Sequence, residues 1–415
     1  MKEAGGEMND SSRRSDRRGA SAVRRRTPLA TLNLLSNPGR AVVWSAGVAF
    51  ALLLIFVQLG FRGAVANTAS IVYGRLRFDV LLRSPEYLHL YETRTFPRVW
   101  MDLAASHPDV AAAAPFHIML NRWQSPADLR YRGIAMMGIE RDKPVLDVPE
   151  IDMQLNLLGN PDWVLIDRAT RADFGPADGE RFGAADVGTY AELGNRTTMI
   201  AGTFLLGTGL ATNGAVLLSD VGFAQRSGVN LRKEVHLGLI RGERGTDPDR
   251  LAAELRRYLN ARDSRSADVV EVLSRREVIS WEHQHWLRET PIGIIFQLGV
   301  ILSLVVGAAI VYMVLANDVA NRLGEYATLK AMGYSQRSVA SIILRQAWML
   351  AVLGYIPAFA LAEVLYMTTG YFADVPIFMT ARRAAGVAVL AVLMCSFSGL
   401  LAIRKLSKAA PAELF

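Results

Sequence analysis

Hydrophobic residues in this chain fall into two regimes. In four stretches the apolar run is long and almost unbroken: roughly Ala41–Phe61, Ile292–Leu315, Ala347–Thr368 and Ala384–Ile403. A helix crosses a bilayer's hydrocarbon core with about 20 predominantly apolar residues. Each run predicts one span, and Pro357 predicts a kink in the third.

Between the first two spans the apolar positions come in short bursts instead. Strand-like runs occur at Asp79–Arg83, Ile134–Ile139, Trp163–Ile166, Thr197–Phe204, Ala215–Leu218, Val235–Ile240 and Val269–Leu273. Two helices interrupt them. One starts at Thr95 and Pro97 with Phe96, Trp100, Leu103 and Ala104 on one face, and His107-Pro108 ends it. The other has Asp247 before Pro248 and places Leu251, Leu255, Tyr258 and Leu259 on one side. Residues 64–289 therefore predict a mixed α+β domain inserted between the first and second spans. It holds an early and a late βαβ-like unit around a glycine-punctuated, β-rich insert at about 148–230.

Charge orients the spans. Arg13, Arg14, Arg17, Arg18, Arg24, Arg25, Arg26 and Arg40 precede the first span. Arg322, Lys330, Arg337 and Arg345 lie between the second and third, and Arg404, Lys405 and Lys408 follow the fourth. An even span count puts all three groups, and both termini, on the cytoplasmic side. Arg62, Arg75 and Arg77 after the first span, and Arg382 and Arg383 before the fourth, run against this rule. Residues 1–28 read as a disordered basic tail that sets topology. Ala64-Val65-Ala66 has the form of a signal-peptidase site, but the apolar run before it is longer than a usual signal core, and a retained span is expected.

Composition agrees with a hybrid of membrane and globular parts. The chain is 51% hydrophobic with a formal charge of +7, a mean hydropathy of +0.20 and a pI near 9.6. The basic residues outside 64–289 cluster at membrane boundaries, which points to lipid rather than nucleic acid. Cys395 is the sole cysteine, so the outer domain has no disulfide or cysteine-metal framework to rely on.

Most candidate chemistry fails on spacing. There is no G-x-x-x-x-G-K-[ST] loop, no G-x-S-x-G elbow and no H-E-x-x-H pair. The glycine-rich stretch Gly202–Gly214 lacks dinucleotide-binding spacing and reads as a turn between strands. His283 and His285 flank Gln284 beside Glu282, but on a helix such positions point apart; with Trp281 and Trp286 they read as an interfacial aromatic belt rather than a zinc site. No catalytic, metal or cofactor residues are expected. Inside the spans, Glu363 and Gln297 form a candidate polar site, and Ser303 with Gly307 a candidate small-residue dimer contact.

The segment 317–346 between the second and third spans is richer. Val319, Leu323, Tyr326 and Ala327 share a helical face, while Arg322, Glu325, Thr328, Leu329 and Met332 lie away from it. Gly333 stops the helix and Ser335 can cap the next. A helix with apolar groups on more than one face is suited to dock into a groove on a cytoplasmic partner. The run Arg322, Glu325 and Leu329-Lys330-Ala331-Met332-Gly333-Tyr334-Ser335 resembles the signature of FtsX/MacB-type ABC transporter permeases. The order of one span, a large domain and three spans is also similar to theirs, as is the Pro411-Ala412-Glu413 ending. Gln58-Leu59-Gly60-Phe61-Arg62, Leu82-Arg83-Ser84-Pro85, Phe96-Pro97-Arg98 and Leu165-Ile166-Asp167-Arg168 resemble the DevC-like branch. The basic N-terminal extension and Glu363 have no counterpart in that pattern.

The resemblance implies a MacB-like periplasmic core in residues 64–289 and a permease domain over about 290–410, built from spans at 29–63, 290–316 and 347–404 with a tail at 405–415. It further implies a homodimer in the bacterial inner membrane that works with a separate cytoplasmic ATPase, which would bind the ATP. Arg322, Glu325, Leu329, Lys330, Met332, Gly333 and Tyr334 would form the coupling surface. For the DevC-like branch it implies a periplasmic membrane-fusion protein, an outer-membrane channel and a lipid-like or other amphipathic cargo. The residues before the first span are too few to hold a fused ATPase. Two rivals remain: FtsX-like mechanotransmission to a periplasmic enzyme without transport, and a ligand-binding membrane sensor.

Overall fold

The structure, a computed structural model, describes residues 38–207, 209, 212–373 and 376–408. The arginines of the N-terminal tail and the Pro411-Ala412-Glu413 ending lie outside the described residues. Four helices are long and apolar enough to cross a membrane, Ala41–Ala69, Pro291–Asn321, Gln336–Phe372 and Ala381–Ala402, and the chain is a multi-pass membrane protein. All four lie in helices that run past the apolar cores read from sequence, the last within Ala381–Lys408. The first helix continues without a break through Ala64-Val65-Ala66, and the third passes through Pro357 within Gln336–Ala373.

Small residues set the spacing between spans. A side chain at Gly60 would collide with the ring of Tyr366, whose hydroxyl donates to the Phe56 carbonyl of the first span. Phe61 stacks on Phe296 of the second span at 5.7 Å. Ser303 and Gly307 are buried inside this single chain. Ile301, Leu302 and Val305 of the same helix are exposed.

The domain between the first and second spans is mixed α/β and built on one nine-stranded sheet. In chain order its strands are β1 (Val80–Arg83), β3 (Val110–Gln124), β4 (Tyr131–Ile139), β5 (Trp163–Asp167), β6 (Tyr190–Leu193), β7 (Arg196–Phe204), β8 (Ala215–Ser219), β10 (Leu237–Gly242) and β11 (Glu271–Ser274). A short separate pair is made by β2 (Phe96–Pro97) and β9 (Glu234–Val235). The sheet order is β11-β1-β10-β3-β4-β8-β5-β7-β6. The helix Arg98–Ala105 joins β1 to β3 with β10 lying between them, and Pro248–Arg262 joins β10 to β11 with β1 lying between them. This is a pair of split βαβ units. Their core gathers Val80, Leu82, Ile240 and Val272 under Met101, Leu251, Leu255 and Leu259.

The strand-rich middle extends this same sheet and then closes it. Leu193 of β6 returns to pair with Trp123 at the far end of β3. Strands β3, β4, β8, β5, β7 and β6 thus form a closed ring. Trp123, Ile134, Val164, Ile200 and Val216 belong to one buried cluster, and Trp123 donates its indole N–H to the Phe174 carbonyl at 3.0 Å. The described part of the glycine-rich stretch is the end of β7 and the turn to β8. The Asp167 carboxylate holds that turn by accepting from the Leu206 and Gly207 amides at 3.1 and 2.8 Å.

Candidate functional site

The segment between the second and third spans is a helical hairpin. The second span's helix continues to Asn321, a short helix covers Leu323–Ala331, and the third helix starts at Gln336. Gly333 takes φ +90, a conformation that costs side-chain-bearing residues but not glycine. The Tyr334 amide reaches back to the Leu329 carbonyl at 3.1 Å, the bond that closes a Schellman turn. Ser335 then caps the third helix, its hydroxyl accepting from the Ser338 amide at 3.3 Å. Gly333 and Ser335 therefore do what the sequence assigns to them.

Below the turn the hairpin is tied to the spans. Val319, Val339, Ile343 and Ala402 are buried together, with Leu329 and Ala340 packed against them. Asp318 is buried, bonded to Gln346 of the third helix, and paired with Arg322 at 3.2 Å. Arg322 also reaches Glu325 at 3.5 Å.

This changes the expected coupling surface. Arg322 is 8% exposed and Leu329 is half-buried, so neither is a free contact; both brace the hairpin from within. The reason lies in Asp318, whose buried carboxylate needs a cation and takes Arg322. Met332 and Tyr334 stand out at 62% and 50% exposed, on either side of Gly333. Glu325 is exposed in the first turn of the short helix, and the Lys330 side chain lies outside the described residues. An exposed methionine and tyrosine at the tip of a braced turn form an apolar knob that a partner can grip.

The other expected sites fare differently. Gln297 is exposed and Glu363 half-buried; Glu363 Oε2 has no hydrogen-bond partner among the described residues, and the two do not pair. His283 meets the Ser70 hydroxyl at 3.0 Å while His285 meets Glu289 at 2.8 Å, so the two imidazoles diverge. The expected aromatic belt is instead packed inward. Trp286 is buried, and Trp281 packs on Tyr87 and under the Arg83 guanidinium at 4.2 Å. Between them Glu282 is fully buried, accepting from the Tyr87 hydroxyl and from the Trp286 indole at 3.1 Å. Burial raises its carboxyl to about 7, against opposing contributions from Tyr87, Arg83, Trp286 and Tyr73. The sequence places Glu282 only beside the histidines, because apart from Trp286 the groups that face it come from residues 73–87, nearly 200 positions away.

Residues 298–411 match the family described as FtsX-like permease C-terminal, a stretch that contains the hairpin and the last two spans. No curated protein matches the chain. Among solved structures, the periplasmic region of MacB from Actinobacillus actinomycetemcomitans is similar at 6% identity, covering 51% of this chain and 94% of that one, with a TM-score of 0.35. The extracellular domain of the noncanonic ABC-type transporter YknZ from Gram-positive bacteria is similar at 12% identity, covering 48% and 100%, with a TM-score of 0.32.

Proposed function

We propose that the chain is the membrane subunit of an ABC system, working as a homodimer with a separate ATPase that grips the Met332–Tyr334 knob. The observation that carries this reading is the match of residues 298–411 to the FtsX-like permease family, because those residues hold the exposed knob. The knob is rigidly joined to its helices through Asp318, Arg322 and Gln346, so displacement at the knob becomes displacement of the second and third helices. The second helix leads without a break to Pro291, where the outer domain begins. The work is thus mechanical: ATP is hydrolysed by the partner, and the outer domain is what moves. The DevC-like stretches favour export of a lipid-like or other amphipathic cargo, with a periplasmic membrane-fusion protein and an outer-membrane channel completing the path in the inner membrane of a bacterium.

Co-purification with candidate ATPases tests this. Met332→Asp and Tyr334→Asp lie on exposed positions and leave the buried brace intact. Each is expected to weaken ATPase association by about tenfold, as removal of a well-packed anchor does. Retention of the ATPase at wild-type level in the double variant would overturn the docking assignment. Failure of any ATPase to co-purify with the wild-type chain would overturn the ABC reading itself.

A further inference from the structure

Three of the five arginines that run against the charge rule come together. Arg62 lies at the outer end of the first span, and Arg382 and Arg383 lie in the first turn of the fourth helix, some 320 positions away. All three line one cavity of about 400 Å³. Its apolar wall is Leu59 and Ala66 of the first span with Leu287 of the turn that leads into the second.

Arg383 is held in place. Its guanidinium lies over the open face of Gly63, donates to the Phe378 carbonyl at 2.8 Å, and sits 5.5 Å from the centre of the Tyr366 ring. Among the described residues none of the three guanidinium groups forms an ion pair with a carboxylate. Three cations gathered without a counter-charge repel one another, and an anion in the cavity would relieve that repulsion through charge-assisted hydrogen bonds. The start of the fourth helix adds its partial positive charge on the same side.

Position selects the kind of anion. Arg62 follows the apolar run that ends at Phe61, and Arg382 and Arg383 precede the one that begins at Ala384. The cations therefore stand at the boundary between hydrocarbon and water, with the apolar wall beside them. A free phosphate would use the cations and waste the wall; a molecule with both an anionic head and an acyl chain uses both.

We propose that this cavity is a binding site for an anionic amphiphile, a phosphate- or carboxylate-headed lipid drawn from the outer leaflet. The site does not depend on the ATPase reading, since the chain alone holds all of it; if that reading holds as well, the cavity names the chemical class of the cargo or regulator.

The test uses the full-length protein in a neutral detergent, with bound ligand read by native mass spectrometry. The probes are lysophosphatidylglycerol, lysophosphatidylcholine and glycerol phosphate. The wild-type chain is expected to retain the anionic lysolipid about tenfold better than the zwitterionic one, and Arg62→Gln and Arg382→Gln to lose about fivefold each. Gly386→Trp supplies the decisive arm. Gly386 lines the same cavity and a Cβ there meets nothing within 4 Å, so an indole at this position can occupy the cavity while all three arginines stay in the chain. It should abolish the preference. If Gly386→Trp binds like wild type, diffuse surface charge explains the retention and the site is refuted. If glycerol phosphate displaces the lysolipid at equal concentration, the site is for free phosphate and the amphiphile assignment is refuted.

Discussion

A buried carboxylate at the root of the second span gives the outer domain a pH dependence of known sign. The Glu282 carboxyl titrates at about 7 when folded against an ordinary 4.5, because burial disfavours its charged form. The folded chain therefore binds a proton between those values that the unfolded chain does not. This contribution to stability is full below about 4.5 and is lost as pH rises through about 7. The groups facing Glu282 are Tyr87, Tyr73, Trp286 and the Arg83 guanidinium. Glu282→Gln keeps the shape and removes the charge. It should raise the stability of the full chain by on the order of 3 kcal/mol at pH 8 and by little at pH 4.5. Melting curves at both values check this; a gain equal at both would mean the carboxylate carries no cost. His117 and His236 act in the opposite sense. Their Nδ1 atoms meet at 3.1 Å, and burial lowers them to about 3 and about 4, so their contribution is lost as pH falls below the unfolded value near 6.5.

At the scale of elements, local signals were legible and long-range ones were not. Gly333 and Ser335 end one helix and start the next through contacts within a few residues, and their types alone indicate this. The helix Pro248–Arg262 follows from the spacing of Leu251, Leu255 and Leu259. Strand β3, the longest, went unread. Its first residues are a run of alanines, and Phe116, His117, Ile118 and Met119 carry no alternation because that stretch is covered on both faces. The Val235–Ile240 run reads as one strand but divides at His236, since β9 pairs with β2 while β10 pairs with β1 and β3. In the hairpin, the burial of Arg322 was hidden because Gln346, which completes the brace, lies 28 positions from Asp318. Asp318→Asn separates gripping from transmission. Breaking a buried pair costs on the order of 3 kcal/mol, which should appear as faster amide exchange across 317–346. ATPase association should stay within about twofold of wild type, since the knob is untouched. Loss of association would mean the brace itself is the docking surface.

For the whole molecule, the span count and the position of the outer domain were readable because each span needs only its own apolar run. Orientation rests on charge, and Arg62, Arg382 and Arg383 oppose it. A labelling experiment decides the matter. In a Cys395→Ser background, Leu129→Cys in the outer domain, 68% exposed, should react with an impermeant maleimide on intact cells whose outer membrane has been opened. Met332→Cys should react only after the inner membrane is broken. The reverse pattern would place the hairpin outside and remove the basis for an ATPase contact.

An open sheet of this size would expose an edge at each end, and an exposed edge invites another chain to pair with it. Here β6 folds back onto β3, so that end has no edge left to offer. The other end is β11, only four residues long and packed by two helices, with Arg256 already donating to the Val272 carbonyl at 2.7 Å. Two copies of this chain brought side by side in a membrane would hold their sheets at high local concentration throughout their lifetime. Closing one edge and plugging the other lets such sheets work next to each other without fusing into one.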